Sequence, residues 1–187
     1  MIKGIDVSSY QSDVAKLDLA GLDFVMVKAT EGTTYVNPEQ KAQAAKARDA
    51  GLAVGFYHFL HPGYTYAQAS YFVEQCDSVH GDMLIVDWET TENGNHASCQ
   101  EKDQFLAALK ELRPEHHRRL LYCNVDYWKN IDTTSGCGDG LWIASPDGYP
   151  PIVHPWLFWQ TGERGGVDSD VSAFHSRDAL RAWCGYA

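Results

Sequence analysis

No segment of the 187-residue chain approaches the ~20 consecutive apolar residues of a membrane-spanning helix. A membrane partner is therefore not expected. The opening MIKGIDVSSYQ has no apolar core of signal-peptide length, which predicts a cytoplasmic site of synthesis, or secretion if a leader has been removed. Positive charge is scarce: 15 Lys and Arg face 25 Asp and Glu, a net charge of −10, which argues against nucleic acid as a partner. None of the five cysteines sits in a C-x-x-C pair, so zinc ligation and thioredoxin-type chemistry are not expected. The expectation is reduced thiols acting as small hydrophobes, with a Cys123–Cys137 disulfide as the alternative. His58 and His61 form an H-x-x-H at a strand end. That spacing suits a metal only on a helix and with a third ligand, so no metal is predicted and His58 reads as a hydrogen-bonding core residue. Internal repeats, linkers and low-complexity stretches are also missing, so residues 1–187 read as one domain.

What is present centres on Met83–Glu89, MLIVDWE. Four apolar residues in a row, two of them β-branched, read as a strand buried on both faces. It ends in Asp87 and Glu89, which point to the same side because side chains alternate along a strand. Two neighbouring carboxyl groups cannot ionise independently. One protonated and one ionised carboxyl is the arrangement that glycoside hydrolysis needs.

In chain order the predicted elements are strand 2–7, a short helix from Ser12 or Asp13 to Ala20, and strand 23–29. A helix follows from Asn37-Pro38-Glu39 to Gly51, then strand 52–59 and helix 65–79. After strand 83–87 comes a helix capped by Ser98 or Asn95 and ended by Pro114. Strand 120–124 leads to a short helix, 125–129. Three strands then follow without helices, 141–144, 156–160 and 170–174, and helix 177–183 closes the chain. Five β-then-α units and three further strands predict a closed α/β barrel of eight strands with helices lost from its last part. That economy fits a barrel into a chain shorter than the typical ~250 residues. The C-terminal strand ends would share one mouth, gathering Asp6, Glu31, Tyr57, His58, Asp87, Glu89, Asn124, Trp142 and Gln160, with Asp168 in the GGVDSD loop beside them. Glu31 reads more simply as a structural partner of Lys28.

These residues fall in motifs: GIDVSSYQ at 4–11, KATEG at 28–32, GFYHF at 55–59, DWE at 87–89, LWIA at 141–144, WQ at 159–160 and VDSDV at 167–171. Together, in this order, the chain resembles the glycoside hydrolase family 25 lysozymes, the Chalaropsis-type muramidases. The resemblance implies a flattened TIM-like (β/α)5(β)3 barrel and cleavage of the β-1,4 bond from N-acetylmuramic acid to N-acetylglucosamine in peptidoglycan. It implies no cofactor. Matched by motif, Glu89 would be the general acid, and Asp87 the nucleophile or the group that orients the substrate's N-acetyl. Asp6 and Asp168 would complete the acidic cluster. Tyr57, Trp142, Tyr122, Asn124 and Gln160 would bind the sugars. Thr161 departs from the pattern, since the family often has an aromatic there. No separate wall-binding domain is seen. The resemblance suggests a monomer acting on glycan strands, either a phage endolysin released from the host cytoplasm or an autolysin. The rival readings are a hydrolase of another β-1,4 amino-sugar polymer such as chitin, and a non-catalytic sugar-binding barrel. An amidase or peptidase would need a metal triad or an activated cysteine, and no such set is evident.

Overall fold

The structure, a computed structural model, describes residues 1–113, 115–146, 150–153 and 155–186. Its strands are β1 (Ile2–Val7), β2 (Phe24–Glu31), β3 (Tyr35–Val36), β4 (Ala53–Phe59), β5 (Met83–Asp87), β6 (Arg118–Asn124), β7 (Gly140–Ala144), β8 (Phe158–Arg164) and β9 (Val167–Ser172). Helices are α1 (Gln40–Asp49), α2 (Thr65–Gln75), α3 (Cys99–Leu112) and α4 (Arg177–Cys184). β1, β2 and β4 to β8 pair in parallel, and β9 closes the ring by running antiparallel to both β8 and β1. Eight strands thus make a closed barrel, while β3 forms a small hairpin on the end of β2.

Strand alternation sorts the apolar residues into two cores. Phe24, Met26, Met83, Ile85, Leu120 and Phe158 fill the barrel interior. Val25, Val27, Val54, Leu84, Val86 and Leu121 face outward beneath the helices. Leu180 and Cys184 of α4 join the interior cluster and plug the end where the strands begin. Tyr186 ties this plug down by donating to Asp82 Oδ1 at 2.6 Å. The end where the parallel strands finish forms the mouth.

Several predicted elements differ in extent. The segment after β1 makes two 3-10 turns, Ser9–Gln11 and Val14–Lys16, in place of a helix to Ala20. Its carbonyls are claimed from outside: Lys46 Nζ donates to those of Val14, Ala15 and Leu17 at 2.8, 3.0 and 2.6 Å. Asn37 Oδ1 accepts from Glu39 N at 3.0 Å, as a cap would, but in a turn ahead of the regular helix. Its Nδ2 is tethered to the Lys28 carbonyl at 2.8 Å, and the helix starts at Gln40. The helix predicted to reach Val79 stops at Gln75. There the chain turns so that Asp82 Oδ2 can accept from Val79 N and from Arg48. After β6 stands a π-helical turn, Tyr127–Ile131. Ser98 caps α3 as expected, in a reciprocal box with Glu101; Pro114, its predicted stop, lies outside the described residues. The predicted strands at 156–160 and 170–174 become Phe158–Arg164 and Val167–Ser172. All five cysteines are free thiols. Among the described residues no helix is long and apolar enough to cross a membrane.

Candidate active site

The floor of the mouth is built by β5. Met83 and Ile85 point into the barrel, so Asp87 does too. Trp88 points out, is fully buried, and donates its Nε1–H to the Ala97 carbonyl at 2.6 Å. That anchor fixes the turn and sends Glu89 back toward the mouth. The Asp87 and Glu89 carboxyl groups come within hydrogen-bonding reach of one another. Asp87 is 4% exposed, and its Oδ1 has no hydrogen-bond partner among the described residues.

The opposite wall comes from β1, β8 and β9. Tyr122 donates to Gln160 Oε1 at 2.8 Å, and Gln160 Nε2 donates to Asp6 Oδ2 at 2.7 Å. Asp168 is not in a loop, as the glycine-rich sequence suggests, but on β9, where antiparallel register sets it directly beside Asp6. A register shift between Gln160 and Gly162 lets β8 bend here, with Gly162 at φ +130, a conformation open to glycine. Thr161 sits in this bulge and donates to the Ser169 carbonyl at 3.0 Å.

Asp6, Asp87, Glu89, Asp168, Tyr57, Tyr122, Trp142 and Gln160 line one cleft of about 270 Å³. Trp142 forms its aromatic wall, 4.5 Å from Tyr122 and 6.1 Å from Tyr57 between ring centres. Asn124, expected among them, is not in this lining; its Oδ1 accepts from Tyr127 N at 2.8 Å and starts the turn after β6. His58 is a core residue, held between Thr30 Oγ1 at 2.8 Å and Gln68 Oε1 at 3.2 Å, and burial lowers its pKa to about 3. Among the described residues no group of three His, Cys, Asp or Glu could hold a metal ion.

Several residues of the site were not expected from the sequence: Val7, Ser8, Tyr10, Gln11 and Phe59 line the cleft as well, and Asp170 and Lys28 bear on its acids. Asp170, buried on β9, accepts from Trp142 Nε1 at 2.8 Å and reaches Asp6. Its signal was the D-x-D spacing, which puts it on the same face as Asp168. Lys28 lines the cleft as well, two residues beyond inward-facing Met26. Its ammonium donates to Glu31 Oε2 at 2.7 Å and lies 5.0 Å from the centre of the Phe59 ring. The expected Lys28–Glu31 pair thus exists, but it also stations a cation among the acids.

Residues 5–170 match the family profile described as glycosyl hydrolases family 25. The chain belongs to this family. It is 34% identical over 152 residues to an N,O-diacetylmuramidase of Chalaropsis sp, an alignment covering 72% of this chain and 71% of that one. It is 28% identical over 200 residues to Lysozyme M1 of Streptomyces globisporus, covering 91% of this chain but 66% of that protein's length. The solved structure of a muramidase from Acremonium alcalophilum superposes with a TM-score of 0.83 at 25% identity, and each chain is fully covered.

In this family 25 hydrolase the acids are too close and too buried to ionise together. Burial pushes Asp6 up to about 7, against the Gln160 hydrogen bond, with the charge of Asp168 adding to the rise. Asp87 is held well above the carboxylate range by burial and then by the charge of Glu89; Lys28 pulls the other way. Glu89 is also raised by burial, but its bond with Asp87 and the charge of Lys28 hold it lower. Burial thus raises both members of the pair, Asp87 well above the carboxylate range, and at this separation they titrate as a pair rather than singly. Asp168 is raised by burial, then by Glu163, and Asp170 well above its usual range by burial, then by Asp6.

Proposed function

We propose that this family 25 hydrolase cleaves the β-1,4 bond between N-acetylmuramic acid and N-acetylglucosamine in peptidoglycan. The observation that carries the reading is the Asp87–Glu89 pair, two carboxyl groups within hydrogen-bonding reach of one another, both raised by burial, at the floor of an aromatic-walled cleft. A glycosidase needs one proton to give to the leaving oxygen and one negative charge beside the developing oxocarbenium ion. Glu89, placed past the end of β5, gives its proton to the glycosidic oxygen. The proton reaches it across the hydrogen bond from Asp87, which is left as the carboxylate. Asp87 then faces the sugar either as nucleophile or as acceptor for the N-acetyl N–H, a role suited to its unpartnered Oδ1. Tyr57, Tyr122 and Trp142 offer ring faces to the sugar, and Asp6, Asp168 and Gln160 shape the polar wall.

The chain supplies every carboxyl group of the cleft itself, so a monomer suffices. The net charge of −10 gives no attraction for nucleic acid. Clearing of a suspension of purified cell walls tests the activity. Borohydride reduction of the digest tests the bond: muramic acid, not glucosamine, should become the alcohol, and no new free amino groups should form. Glucosaminitol would make the protein a glucosaminidase. New amino groups without reducing sugar would end the glycosidase reading.

A further inference from the structure

A second concavity, about 870 Å³ and larger than the catalytic cleft, lies where α2 and α3 begin. Its lining is aromatic and polar: Tyr64, Tyr66, Tyr71, Ser70, Glu74 and Gln104. Tyr64 is 86% exposed and Tyr66 52%, which is unusual for side chains of this size.

The groove is rigidly built. Tyr64 has φ +50, a conformation that costs a bulky residue energy. The loop that holds it there is bolted on both sides. Gly63 N donates to Glu101 Oε1 at 2.6 Å, and Gln68 Nε2 donates to the His61 carbonyl at 2.8 Å. Tyr66 is pinned by donation to Glu111 Oε1 at 3.2 Å. A backbone held in place before a ligand arrives loses little freedom when it binds.

We propose that this groove is a second glycan site, which holds a stretch of the same peptidoglycan strand away from the catalytic cleft. The proposal rests on the reading that peptidoglycan is the substrate. Phenol rings with acceptors beside them match the apolar faces and the hydroxyl and acetamido groups of amino sugars. No Lys, Arg or His lines the groove among the described residues, so phosphate-rich wall polymers find no counter-charge. The groove also lies on the same side of the barrel as the catalytic cleft, with one hollow between them. It shares Thr33 and Tyr64 with an intervening hollow that contains Glu31 and His61. That hollow abuts the cleft through the Lys28–Glu31 pair and through the Phe59 and His61 rings, 5.7 Å apart. A polymer longer than the cleft can therefore run along one face to the second site.

The test uses the full chain carrying Glu89→Gln, so that insoluble walls stay intact during co-sedimentation. Adding Tyr64→Asn, which tolerates positive φ, with Tyr66→Ala should weaken sedimentation roughly 10-fold. Ala67→Trp fills the groove from an exposed helix position without removing any tyrosine, and should act alike. Walls stripped of phosphate-containing polymers should bind as well as untreated ones. Full wall affinity in both groove variants, or affinity lost on stripping, overturns the proposal. With Glu89 restored, the groove variants should lower the ratio of wall clearing to cleavage of short soluble glycan fragments, again roughly 10-fold. Equal loss on both substrates would put the tyrosines in the catalytic cleft and overturn a separate site. If the unaltered protein releases no reducing sugar from either substrate, the muramidase reading fails, while groove-dependent sedimentation still reports on the second site.

Discussion

At the residue scale the chemistry turns on one proton and two oxygens. Glu89→Gln keeps the shape but leaves no acid to protonate the leaving group. Release of reducing sugar should fall at least about 100-fold. The thermal midpoint should stay or rise slightly, because a crowded carboxylate is gone; near-normal lysis would remove Glu89 from the mechanism. Lys28 gives a second, independent handle. Its charge lowers the pKa of both Asp87 and Glu89, though burial outweighs it. Lys28→Met should therefore move both limbs of the pH profile of kcat/KM toward alkaline pH. A profile that loses height without moving would mean that Lys28 does not face the pair.

At the element scale, the strands were legible because burial imposes strict alternation. MLIVD was legible from its own residues as a strand buried on both faces, and it occupies Met83–Asp87 as expected, while a role for its terminal acid rested on the other strand ends that share the mouth. The helix ends were less legible because distant side chains set them. Lys46 undoes a helix some 30 residues upstream by taking its carbonyls, a contact no local pattern announces. Asn124 looked like a site residue because it ends a strand at the mouth, yet the following turn needed its side chain. Asp168 looked like a loop residue because of the glycines before it, yet antiparallel pairing made it part of the barrel. Lys28 and Asp170 obey the same alternation as the rest, but a cation and a fifth acid are not what a sugar site leads one to seek. Alternation also explains Gly55 on β4, which faces the barrel interior. A Cβ there would collide with Met26 Sδ and come within 3.0 Å of Ile85 Cδ1. Gly55→Ala should cost about 1–3 kcal/mol by overpacking, seen as a lower urea midpoint with unchanged slope. A neutral result would mean that the interior layer has room to shift.

At the scale of the whole molecule, closing the barrel gathers acids from β1, β5 and β9 that an open sheet would keep apart. That arrangement costs stability, and the cost has a definite pH dependence. Asp6 has a pKa of about 7 in the fold against an ordinary 3.8. Between these values the unfolded chain has released this proton while the native state still holds it. The native state binds more protons, so stability falls as pH rises through the window and levels off above about 7 for this group. The amount is on the order of a few kcal/mol. Glu31, Glu101 and Asp132 act in the opposite sense, since hydrogen bonds and nearby charges lower their pKa in the fold, and their contribution is lost only as pH falls below the ordinary carboxylate range. Asp6→Asn isolates the first effect. It keeps an oxygen to accept from Gln160 and deletes the titration. It also removes a charge that raises Asp87 and Asp170, which adds in the same direction. The variant should match the unaltered protein in stability near pH 4 and exceed it at pH 7 to 8, while its activity on walls falls. Denaturant midpoints at the two pH values are the measurement. A gain of equal size at both would mean that Asp6 is strained rather than protonated, and no gain at either would mean that the acids are better solvated than their burial implies.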